Sequence, residues 1–141
     1  MNKIIRKFLG LFLLLFVLFL SSCGETKFNA DTIKSNLEKN GYKVEMNPYI
    51  ENVDMKQFEG LENVIYGYND EYGVLLLVFD STTHATNLTK GPTLSKDVSI
   101  ICDWGKDHSK DETRFMGVVN NVFYAGDNEI RKASGVLGSG D

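Results

Sequence analysis

The chain has 141 residues, with 15 Lys and Arg against 19 Asp and Glu, and so carries a net charge of −4 at neutral pH. An acidic balance argues against a nucleic-acid partner, whose phosphates demand cations. The length suits one modest domain, and two cysteines are too few for a disulfide scaffold.

Lys3, Arg6 and Lys7 form a cationic start, and no acid occurs before Glu25. Phe8 to Leu20 is 13 residues of Phe, Leu, Val and one Gly. A membrane span needs roughly 20 apolar residues; this run has the length of the apolar region of a secretory signal peptide. A core helix would carry a polar stripe, which the run lacks. The cations ahead of it hold the N-terminus inside.

The run ends in Leu20-Ser21-Ser22-Cys23-Gly24. This segment resembles the lipobox of bacterial membrane lipoproteins: an aliphatic residue, two small residues, then Cys. The resemblance covers the first 24 residues and does not extend into the domain that follows. It implies that Leu20 fills an apolar pocket of the signal peptidase. Ser21 and Ser22 let the backbone approach the protease, and the Cys23 sulfur receives a diacylglyceryl group. Cleavage before Cys23 then exposes a new amino group, open to a further acyl chain. Two chains, at ~0.8 kcal/mol per buried CH₂, hold a bilayer stably where one does not.

On that reading residues 1–22 are a cleaved signal, and 23–27 are the lipidated Cys and a short tether. The domain spans 28–134, and 135–141 is a Gly-rich, mobile tail. Loss of residues 1–22 removes three cations and no acid, so the net charge falls to −7. Such a surface gains nothing from anionic lipid, and the acyl chains do the anchoring. Gly24 to Lys27 is a polar tether reaching at most about 14 Å.

Asn29 or Asp31 caps a helix running to about Asn40, with Ile33 and Leu37 on one face and Gly41 as its stop. Tyr42, Val44 and Met46 alternate with Lys43 and Glu45 as a half-buried strand. Residues 49–60 are irregular. Val64, Tyr66 and Tyr68, the turn Asn69-Asp70-Glu71, and the apolar run Val74 to Phe79 read as a β-hairpin whose second strand is central.

Asp80 and Ser81 cap a short helix from about Thr82 to Lys90. Val98 to Cys102 reads as a strand, with Val98, Ile100 and Cys102 on one face. A polar loop follows from Asp103 to Glu112. Phe115 to Val119 fits helix and strand equally, Val122 to Ala125 reads as strand, and a last helix covers about Asn128 to Ser134. The expected fold class is α+β: a small antiparallel or mixed sheet with two to three helices packed on one face.

The motifs of serine hydrolases, P-loop and dinucleotide-binding proteins and zinc peptidases do not occur. Four acids and His108 fall within 103–112, yet Asp103, Asp107 and Asp111 stand four apart, unlike a calcium loop, and neighbouring cations compete for them. No metal or cofactor is expected beyond the acyl groups on Cys23. Cys102 is left without a disulfide partner and reads as a small buried hydrophobe. No spacing supports pairing it with His84.

Trp104 beside the polar loop is a candidate recognition anchor, and Tyr66 and Tyr68 on one strand face are a candidate binding surface. The expected function is a lipid-anchored, non-catalytic binding or interaction module at the extracytoplasmic face of the cell membrane. Its partner would be an envelope protein or a small ligand. The alternative is a small envelope enzyme or enzyme inhibitor working through loop 103–112 and His84.

Overall fold

The computed structural model describes residues 27–141. The segment expected as a signal, with Leu20, Ser21 and Ser22, and Cys23, expected to carry the lipid, lie outside the described residues.

Asn29 begins helix α1 (Ala30–Lys39), its side-chain oxygen accepting the Asp31 N–H at 2.8 Å. Ile33 and Leu37, one turn apart, are its buried residues. Gly41, at φ 84°, turns the chain into β1 (Lys43–Met46). After an irregular stretch with one 3-10 turn at Met55–Gln57, β2 (Leu61–Tyr68) and β3 (Gly73–Phe79) form the expected hairpin. Asn69 closes its turn by accepting the Glu71 and Tyr72 N–H groups at 2.9 and 2.8 Å. All seven residues of β3 are buried, as a strand covered on both faces requires.

Ser81 caps α2 (Thr82–Asn87), which is shorter than expected. Helix α3 (Lys96–Asp107) follows, then β4 (Met116–Val119), β5 (Val122–Gly126) and α4 (Asn128–Ala133). The strands form one antiparallel sheet in the order β1-β2-β3-β5-β4. The fold is therefore α+β, with four α-helices among the described residues.

Two expectations are corrected. Val98 to Cys102 is not a strand but the middle of α3, and the polar segment expected as a loop from Asp103 is helical to Asp107. The buried residues Val98, Ile101, Cys102 and Gly105 follow helical spacing, while Ile100 is only half-buried. Ser95 supplies the cap by accepting the Val98 N–H at 3.3 Å. Gly105 lets the helix lie close on β5: a Cβ there would stand 2.7 Å from that of Ala125.

The helices also cover both faces of the sheet rather than one. Ile33, Leu37 and Ile130 of α1 and α4 close over Ile65, Val74, Leu76, Val78 and Val122. Ala85, Val98, Ile101 and Cys102 of α2 and α3 close over Val64, Leu75, Leu77, Phe79, Phe123 and Ala125. The alternating side chains of β3 feed both cores.

Asn121, buried in the β4–β5 turn, ties the start of the described chain to the sheet. Its Oδ1 accepts the Phe28 N–H at 2.7 Å, and its Nδ2 donates to the carbonyls of Phe28 and Phe79 at 3.1 and 2.9 Å. The segment 135–141, expected as a mobile tail, is folded back: Val136 is fully buried and Asp141 pairs with Arg131.

Candidate functional site

Tyr66 and Tyr68 project from the same face of β2, two residues apart, and their rings stack with centroids 4.4 Å apart and planes 16° from parallel. Trp104 on α3 meets Tyr66 edge-on at 5.3 Å and 78°. One turn further on, His108 lies flat on Trp104 at 3.9 Å and 14°. The three candidates named from sequence thus converge, and His108 completes a contiguous row of four rings. Each ring is partly exposed.

The row is held from several sides. The Trp104 carbonyl can only accept, so His108 Nδ1 donates to it across 2.7 Å. The Gly73 N–H donates to the His108 carbonyl at 3.0 Å, fastening the end of α3 to the hairpin. The ring of Tyr66 lies over Gly73, where a Cβ would fall 2.7 Å from the ring. Burial, then Tyr68 and Glu45, push the Tyr66 phenol above its ordinary pKa, so it stays protonated and able to donate. Across the edge, Lys43 pairs with Tyr68 and Glu45 with Tyr66, adding exposed charges beside the rings. Such a row offers ring edges, π-faces, hydroxyls and an imidazole to a partner.

The row stands at the end of the sheet opposite the point where the chain enters. Phe28 is clasped by Asn121 next to Phe79, which pairs with Leu61 at one end of β2; Tyr68 is at the other end. At ~3.3 Å per residue the length of β2 separates the two by roughly 20 Å.

His84 sits on α2 between two carboxylates, its Nδ1 at 2.5 Å from Asp80 Oδ1 and its Nε2 at 3.6 Å from Glu59 Oε1. The Asp80 hydrogen bond raises the imidazole pKa, outweighing the opposing effect of desolvation; the His84 bond lowers that of Asp80. Cys102 Sγ instead faces Met116 Sδ at 3.4 Å, and burial raises its pKa. The structure therefore does not bring His84 and Cys102 into a pair.

Asp111 is engaged locally, accepting from the backbone N–H and hydroxyl of Thr113 at 2.9 and 2.6 Å. Among the described residues no three His, Cys, Asp or Glu side chains converge as a metal site would require, and no helix is long and apolar enough to cross a membrane.

Sequence reasoning missed His108 as a member of the row. Its signal was the four-residue spacing from Trp104, which has meaning only on a helix. Asp80 and His84 carry the same spacing. In comparisons with known proteins, no family model, no curated sequence and no solved structure matches the chain.

Proposed function

We propose that the chain is a lipid-anchored lipoprotein of the extracytoplasmic face of the cell membrane, and that its domain is a non-catalytic binding or interaction module. The observation that carries this reading is the run from Lys3 to Cys23: cations, apolar segment, two small residues and a Cys, in that order. The placement of the aromatic row supports it. A tether leaving by Lys27 puts Phe28 and Asn121 toward the bilayer, and Trp104, Tyr66, Tyr68 and His108 at the far end, where an envelope protein or small ligand meets them.

Intact-mass analysis of the chain expressed in a bacterial host tests the anchor, with wild type beside Cys23→Ala. The expected result is a wild type beginning at Cys23 with added acyl mass, and a variant left as the full-length precursor. Wild type cleaved without lipid, or not cleaved, would overturn the proposal.

The Asp80–His84 pair favours a second reading, a small envelope enzyme, because a carboxylate orients this imidazole as it would a general base. Against it, Nε2 is turned toward Glu59 rather than toward a hydroxyl or thiol.

A further inference from the structure

Arg131 is the buried cation of this domain whose pairing the fold leaves to a distant segment. Its side chain is 4% exposed. The guanidinium lies over the Tyr124 ring at 4.5 Å. Nε donates to Asn128 Oδ1 at 3.2 Å, and one terminal nitrogen donates to the Val136 carbonyl at 2.8 Å. These contacts come from β5, from α4 and from Val136, three residues past its end, and they fix the guanidinium plane.

Among the described residues the remaining fork is filled by Asp141, through two parallel bonds of 2.7 and 2.8 Å. A planar fork of this kind matches a two-oxygen anion, and a buried Arg without one is costly.

The segment that delivers this carboxylate is poorly attached otherwise. Leu137 is 51% exposed, and Ser139 and Gly140 are exposed. Two hydrogen bonds close it on itself, from the Gly138 N–H to Asp141 Oδ2 and from the Asp141 N–H to the Gly138 carbonyl. Around the ion pair is an open cavity of about 330 Å³ whose charged lining is Arg114, Arg131 and Lys132 against the single acid Asp141. Arg114 and Lys132 also border a neighbouring cavity with Asp111, Glu112, Asp127 and Glu129, so these two cations stand between the ion pair and an acidic rim.

We propose that Arg131, with Tyr124 and Asn128, forms the floor of a binding site for a small carboxylate, and that Asp141 is its internal occupant. A ligand carrying a carboxylate takes the Arg131 fork and displaces residues 137–141. A second anionic group on the same molecule reaches Arg114 or Lys132 at the rim. That second contact gives a dicarboxylate the advantage over a tethered, and therefore locally concentrated, Asp141. The site is on the sheet face opposite the aromatic row, since Tyr124 belongs to the core under α1 and α4. It depends on neither that row nor the lipid anchor.

The test uses the full chain in detergent, followed by thermal unfolding in acetate, succinate, inorganic phosphate and chloride at equal ionic strength. Wild type, in which succinate must displace Asp141, is expected to melt higher in saturating succinate than in the other three, by less than the variant gains; a wild type that succinate leaves unmoved overturns the displacement. Asp141→Ala is expected to melt several degrees lower in chloride, and saturating succinate should raise it by about 3 °C or more. Acetate should act more weakly. Combining Asp141→Ala with Arg131→Met should abolish the response. Should Asp141→Ala not fold, Asp141→Asn, which keeps the shape and loses the charge, is read in the same way. The proposal fails if Asp141→Ala responds no more to succinate than to chloride. It also fails if the Arg131→Met combination responds equally, or if phosphate stabilises and succinate does not.

Discussion

The imidazole of His108 lies 3.9 Å above the indole of Trp104, the two planes 14° apart, one helical turn separating the residues. Because Trp104 is the single tryptophan of the chain, its fluorescence reports on this contact and on the row to which it belongs. His108→Ala is expected to shift the emission to longer wavelength as water reaches the indole face. It should cost about 1 kcal/mol of stability, the usual worth of a stacked pair. Urea unfolding followed by fluorescence measures both. An unchanged spectrum would mean that the two rings do not stack in solution. If the row is the binding surface, Trp104→Ala abolishes partner capture, while a substitution at exposed Lys39, on the helix that covers the opposite sheet face, does not.

The Asp80–His84 pair predicts a definite pH profile. His84 has a folded pKa above its ordinary 6.5, so its contribution is complete below that value and is lost as pH rises through the raised one. Asp80 has a folded pKa below its ordinary 3.8, so its contribution is complete above that value and is lost as pH falls through the lowered one. The pair therefore stabilises most between about pH 4 and pH 6.5. The difference in urea midpoint between wild type and His84→Gln should be largest in that window and shrink toward alkaline pH. A difference that stays constant from pH 5 to pH 9 would refute the ion pair.

Asn121→Ala removes three hydrogen bonds at once and leaves the Phe28 N–H and the Phe79 carbonyl without that partner. A loss of about 2–3 kcal/mol is expected. The consequence specific to this clamp is local: amide hydrogen exchange at Phe28 should accelerate well beyond what global destabilisation explains. Uniform acceleration across the domain would argue that Asn121 does not hold the entering chain.

Gly105→Ala separates two opposed effects. In an exposed helix the change gains up to ~1 kcal/mol from propensity. Here the new methyl group would meet Ala125 Cβ at 2.7 Å and the Gly126 nitrogen at 2.8 Å, so overpacking of about 1–3 kcal/mol should win. Measured by chemical denaturation, a stabilised variant would show that α3 does not lie close on β5.

Much of the fold was legible where the local pattern and the tertiary environment agree. Val74 to Phe79 is apolar without interruption, and only a central strand or a buried helix segment accepts that; the turn residues before it decided for the strand. Ile33 and Leu37 behind Asn29 specified α1 in the same way. Val98 to Cys102 misled because Val and Ile are strand formers and the segment is short enough to alternate by chance. Its true period appears only over the 12 residues from Lys96 to Asp107, where Ser95 caps the start and Val98, Ile101, Cys102 and Gly105 turn inward.

By itself the sequence determined the features carried by contiguous residues: the charged start, apolar run and small-residue step before Cys23, the hairpin, and the helix starts near Asn29 and Ser81, though not which of Asn29 and Asp31 is the cap. Local order is enough for these, because a turn or a helix cap depends on neighbours along the chain. Only the tertiary structure decided which distant residues meet. The antiparallel register and the docking of α3 bring Trp104 and His108 to Tyr66 and Tyr68, and the folding-back of the last residues carries Asp141 to Arg131. Those contacts depend on sheet order and on which face each helix covers. Both are settled by the global burial of two cores, to which no single segment of the sequence holds the key.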